Sequence, residues 1–133
     1  MAMTFAAIAA VVAANPGVAH ATYFNEYATP TDRKPIATPC VSVYGGDGVA
    51  CFGAYGDKFW IRDNEFDGLH VEMHGWVYDD HFVCWTTRGP NYAWQICEGF
   101  PTYIPENVTI RFQARLYNGG TFIARSANKY ATT

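Results

Sequence analysis

Cys40-Val-Ser-Val-Tyr-Gly-Gly-Asp-Gly-Val-Ala-Cys51-Phe-Gly-Ala-Tyr-Gly-Asp-Lys-Phe-Trp-Ile-Arg-Asp63 carries two of the four cysteines and five of the twelve glycines of the chain. Val41 and Val43 alternate with Ser42, a Gly-rich turn follows, and Val49 to Phe52 return. Gly53 to Asp57 turn the chain again, into Lys58 to Arg62 with Phe59 and Ile61 on one face and Trp60 on the other. A period of two broken by Gly and Asp is the pattern of short, half-buried strands. Cys40 and Cys51 straddle Gly45-Gly46-Asp47-Gly48, so a disulfide between them staples the first hairpin. A two-residue Gly45-Gly46 turn would set the two cysteines at a hydrogen-bonded position, too wide for a disulfide, so a bulge or longer loop is expected there.

The same period continues toward the C-terminus. Leu69, Val71 and Met73 alternate with His70, Glu72 and His74; Gly75 reads as a bulge before Trp76 to Tyr78; Asp79-Asp80 read as the turn into His81 to Thr87. Pro90-Asn91 lead into Tyr92 to Cys97, so that Cys84 and Cys97 staple a second hairpin across Arg88-Gly89-Pro90-Asn91. Local pairing is one of three connectivities open to four cysteines, and spacing favours it. Val108, Ile110, Phe112, Ala114 and Leu116 alternate with polar residues up to Asn118-Gly119, a hairpin signal, and Phe122 and Ala124 continue on the return. Seven or eight strands without a helical stretch predict an all-β fold: a compact, disulfide-stapled antiparallel β-sandwich, Ig-like, or a small barrel, over residues 40–133.

N-terminal to this domain, residues 22–39 hold Pro30, Pro35 and Pro39, which forbid a helix or a central strand and predict an extended arm. Tyr23, Phe24 and Tyr27 give it more aromatic area than a linker needs, as in a segment that docks on a partner. Residues 1–21 read as a secretory signal peptide: an uncharged apolar run ends in Ala19-His20-Ala21, although no basic residue precedes it. The run is too short to span a bilayer. A secreted, extracellular chain with two disulfides is expected.

A net charge of −3 with scattered basic residues argues against a nucleic-acid surface and against a polybasic membrane patch. Cysteine spacing lacks zinc knuckles. At about 3.3 Å per strand residue, His70 and His74 lie roughly 13 Å apart, so they share no metal, and alternation explains His70, Glu72 and His74 as a solvated strand face. No metal and no cofactor are expected. Asp57 or Asp63 with Glu72 is the one carboxylate combination worth testing as a hydrolase pair, but turn chemistry explains the aspartates. Nucleophile elbows and phosphate loops are absent from the sequence. The remaining feature is an aromatic surplus of four Trp, nine Tyr and nine Phe, of which Trp60 and Trp85 are the candidates for an outer-face contact with a protein or a sugar.

Gly46-Asp-Gly-Val-Ala-Cys-Phe-x-x-Tyr-Gly-Asp-x-Phe-Trp-Ile-x-Asp63 resembles a motif of small secreted actinobacterial β-proteins with two disulfides. A further resemblance is to the adaptor subunit of umbrella-shaped toxin particles. It implies a non-enzymatic β-domain joining a lectin subunit to a stalk through its N-terminal arm, and it carries no residue-level motif. The function expected is therefore non-catalytic binding of a secreted protein partner, with Tyr23, Phe24, Tyr27, Trp60 and Trp85 as contacts. Inhibition of an extracellular hydrolase such as α-amylase is the alternative, though the Trp-Arg-Tyr tripeptide of such inhibitors is missing. Carbohydrate binding is the other.

Overall fold

The computed structural model describes residues 21–36, 38–65, 67–87 and 93–133. The expected signal segment, apart from Ala21, and the turn at Arg88-Gly89-Pro90-Asn91 lie outside the described residues. Among the described residues eleven strands form: β1 (Tyr23–Tyr27), β2 (Thr29–Thr31), β3 (Cys40–Val43), β4 (Gly48–Gly53), β5 (Lys58–Asp63), β6 (His70–Val77), β7 (Asp80–Trp85), β8 (Trp94–Cys97), β9 (Thr109–Asn118), β10 (Thr121–Arg125) and β11 (Lys129–Thr132). They make two sheets. Sheet A runs β1-β7-β6-β9-β10, with β11 also on β9; sheet B runs β2-β8-β5-β4-β3. The all-β, sandwich-like expectation holds, and the barrel alternative does not, because the sheets do not close.

Alternation explains the packing. Val71, Met73 and Val77 of β6 and Ile110, Phe112, Ala114 and Leu116 of β9 face Val43, Ala50, Phe52, Phe59 and Ile61 of sheet B in one core. Phe59 sits among other rings, 4.9 Å from Phe100, 5.7 Å from Phe52 and 6.4 Å from Phe82 between centroids. Burying each such ring stabilises the fold by about 1.5–3 kcal/mol. The Phe59 ring also explains Gly75. No bulge forms there, since Gly75 pairs in unbroken register with Phe82 and Phe112. A Cβ on Gly75 would lie 2.9 Å from Phe59 Cζ and 3.1 Å from Ile110 Cδ1. The glycine is there for close approach between the sheets.

Both disulfides pair locally, Cys40–Cys51 and Cys84–Cys97. Phe52 N–H donates to Pro39 O at 3.1 Å, so the neighbouring Cys40 and Cys51, directly paired with Cα atoms 4.0 Å apart, take the close, non-hydrogen-bonded position. The longer loop expected is a four-residue connection between the paired Val43 and Gly48. The second staple differs from expectation. Cys84 lies in sheet A and Cys97 in sheet B, so the bridge ties the sheets together and closes no hairpin. Closing a loop of this size adds about 3 kcal/mol in the chain-entropy model.

The arm is corrected too. Residues 22–39 are extended, but the sheets begin at Tyr23 rather than at Cys40. β1 pairs parallel with β7 and β2 pairs antiparallel with β8, so one stretch supplies an edge strand to each sheet. Pro30 is tolerated because β2 is an edge. Between the two strands Ala28 is buried; its N–H donates to Trp85 O and its carbonyl accepts from Thr87 Oγ1. The Glu26 carboxylate accepts from Gly99 N–H at 2.8 Å. The last hairpin turns at Gly119-Gly120, with Asn118 already paired to Thr121, and a register shift after Phe122 leaves that ring outside while Ala124 is buried. Gly75→Ala should therefore overpack the core and lower unfolding stability by about 1–3 kcal/mol in a denaturant titration.

Candidate functional site

Because β6 turns Val71, Met73 and Val77 inward, His70, Glu72, His74 and Trp76 must point to the other side of sheet A. The register across β1, β7, β6 and β9 sets these outward residues in rows. They run Tyr23–His81–Trp76–Arg111, then Asn25–Val83–His74–Gln113, then Tyr27–Trp85–Glu72–Arg115, with Tyr117 opposite His70 beyond them. Aromatic, arginine and imidazole side chains share one face, assembled from four strands.

At its centre the solvated-face reading fails: Glu72 is 7% exposed and His74 5%. His70 Nε2–H donates to Glu72 Oε1 at 2.9 Å and His74 Nε2–H to Glu72 Oε2 at 2.7 Å. An ionised carboxylate only accepts, so His74 Nδ1 is left bare, and it accepts from His81 Nε2–H at 2.9 Å. The array is directional, from His81 through His74 to Glu72, with His70 closing the other oxygen. Burial pushes the Glu72 carboxyl up, but the hydrogen bonds from His74 and His70 outweigh it and hold it below the usual range. Burial depresses His74, with Arg115 adding to it and Glu72 opposing. Burial, then His74, Arg115 and Arg111, pushes His81 down to about 4. At neutral pH the Glu72 carboxylate thus faces a neutral His74 ring, which a neutral His81 ring holds in turn.

Long side chains roof this array. Trp76 stacks on His81 at 4.8 Å, and the guanidinium groups of Arg111 and Arg115 lie 4.5 and 5.2 Å from the Trp76 ring. Arg115 is directed onto Gln113 Oε1, at 3.1 and 3.0 Å, and not onto Glu72. Tyr23 leans edge-on to His81 at 5.2 Å, its hydroxyl pKa raised by burial and by Glu72. Beside the array a groove of about 540 Å³ opens, with Tyr27 and Trp85 on one side, Tyr117 and His70 on the other and Glu72 between them.

Of the expected contact residues, Tyr23, Tyr27 and Trp85 meet on this face, with Tyr27 edge-on to Trp85 at 5.2 Å. Phe24 does not: it faces inward and stacks on Phe82 and Tyr103. Trp60 is on the outer side of the other sheet and only 6% exposed, packed with Cys51 and Ile96, with the Arg33 guanidinium 5.8 Å from its ring. It borders a second groove, of about 550 Å³, beside Arg33, Pro35, Ile36 and Tyr55. The carboxylate pair is not assembled. Asp57 lies in the β4–β5 turn, where burial and then Glu106 push it up to about 6, and Asp63 ends β5 in sheet B, while Glu72 faces outward from sheet A. Among the described residues no group of three or more His, Cys, Asp or Glu is placed to hold a metal ion, and no helix is long and apolar enough to cross a membrane.

Trp76, Arg111, Arg115 and Tyr117 carry no sign in the sequence, and His81 shows there only as a further imidazole that nothing local brings near His70, Glu72 and His74. The turn between β6 and β7 is Tyr78-Asp79, with Val77 paired to Asp80, one residue earlier than the expected Asp79-Asp80. That shift brings His81 diagonal to His74. The β9 residues depend on a non-local pairing with no local sign. Comparison of the chain with protein-family models, with curated proteins and with solved structures finds no match.

His74 and His81 titrate in the folded chain below the 6.5 of a free imidazole, so their neutral burial stabilises above pH 6.5 and is lost as pH falls toward about 4. Glu72, also depressed, loses its contribution in the same direction as pH falls below the ordinary 4.5 of a glutamate. Asp57, raised, acts oppositely, favouring the fold at acid pH. Between pH 7 and pH 5 the wild type should lose about 1–2 kcal/mol that His81→Gln, which keeps a donor for His74, does not lose. Thermal melts of the two proteins across this range measure the difference.

Proposed function

We propose that the chain is an extracellular, non-catalytic binding module that engages a protein partner through the outer face of sheet A. The observation that carries this is the grid itself: Trp, Tyr and Arg, the residue types that dominate binding hot spots, surround a buried, hydrogen-bonded centre. Its rim remains open, with Tyr27 63% and Tyr23 52% exposed. Side chains held by packing and hydrogen bonds lose little entropy on association. Two disulfides in a small domain agree with life outside the cell, behind a cleaved signal segment. An adaptor in an extracellular assembly fits this reading with one change: the N-terminal stretch contributes Tyr23 and Tyr27 as part of a sheet and not as a free arm.

Tagged mature chain should capture a specific protein from culture supernatant, and Tyr27→Ala with Trp85→Ala should reduce that capture at least tenfold. Tyr55→Ala, 95% exposed at the end of sheet B, should leave it unchanged. Equal capture by all variants refutes the sheet A face. Retention on a polysaccharide, lost with Tyr27 and Trp85, replaces the protein partner by a carbohydrate.

A further inference from the structure

We infer that the groove beside Glu72 receives a cationic side chain, a lysine or arginine of the partner, between the aromatic walls of Tyr27 and Trp85 and of Tyr117 and His70. The inference rests on sheet A's outer face being the docking surface and names the chemistry of its anchor.

Charge complementarity decides the occupant. Glu72 is the one carboxylate among the described residues that line the groove, and none of them is a lysine or arginine. The nearest arginine along its row, Arg115, is turned away onto Gln113 and Trp76, so it neither neutralises Glu72 nor blocks the opening. The imidazole donors take one lone pair from each carboxylate oxygen, which leaves acceptor capacity on both. A cation entering here meets aromatic walls at the sides and a carboxylate below, and ring faces with a carboxylate favour ammonium and guanidinium groups over neutral ones. Tyr27 and Trp85 stand edge to face at 5.2 Å, and Tyr117 stacks on His70 at 5.6 Å, so both walls are held before any ligand arrives. An anion is disfavoured by Glu72, and an apolar side chain would leave that carboxylate covered and without new partners.

The test is an amide NMR titration of the full mature chain with N-acetyl-lysine methylamide and N-acetyl-arginine methylamide. The neutral N-acetyl-norleucine methylamide and methyl glucoside are controls, all at constant ionic strength. Expected are saturable shifts at Trp85, Gly119 and Gly120 with the cationic probes alone, weakened at least fivefold in Glu72→Gln and in Tyr27→Ala. Tyr27→Ala alters an exposed edge residue, so it serves if Glu72→Gln disturbs folding. No saturable shift, equal shifts with norleucine, or unchanged binding in both variants overturns the cation site; preferential binding of the glucoside overturns it in favour of a sugar. Partner capture by Glu72→Gln separates the two levels. A well-folded variant that captures the partner as the wild type does refutes the cation anchor while the face stands; capture indifferent to Tyr27 and Trp85 removes the face itself.

Discussion

The contact of the Phe59 ring with Gly75 governs the molecule. It sets how closely sheet B approaches β6, and a Cβ at that point would lie within 2.9 Å of the ring. Once Gly75 faces Phe59, strand geometry leaves no freedom: the odd-numbered residues of β6 enter the core and the even-numbered ones leave it. The outward placement of His70, Glu72, His74 and Trp76 is thus a consequence of core packing. The Cys84–Cys97 bridge between the sheets fixes β7 against the same core, and with it the outward His81 and Trp85.

The outer face behaves as a second, polar core. Buried carboxylates and imidazoles are costly without partners. Here each oxygen of Glu72 has an imidazole donor, and both nitrogens of His74 are used. Arg111 and Arg115 place their guanidinium groups over the Trp76 ring, which stacks on His81. Rigidity at the centre and exposed rings at the rim suit recognition. Among the described residues, the outer side of sheet B carries a small apolar cluster of Trp60, Cys51 and Ile96 instead.

Much of the fold was legible because its signals are local. Alternation located β3 to β6 and β9, the spacing of the cysteines indicated both disulfides, and the prolines marked residues 22–39 as extended. What escaped is non-local. Cys84 to Cys97 looks like a hairpin in sequence, yet its two halves join different sheets; the strand a segment pairs with is set by the whole assembly. β1 lies parallel to β7, a pairing that no adjacent turn announces. For the site, the outward direction of His70, Glu72 and His74 was readable, and their burial was not, because the covering groups come from β1, β7 and β9. A turn displaced by one residue hid His81.

A carboxylate held by directed imidazoles organises this face. Long-range nitrogen–proton NMR of the histidine rings between pH 7.5 and pH 4 tests it most directly. Expected is the Nε2–H form for His74 and His81 at neutral pH, with His81 resisting protonation until about pH 4. Rings of mixed tautomer, with His74 and His81 titrating near the 6.5 of a free imidazole, would contradict it.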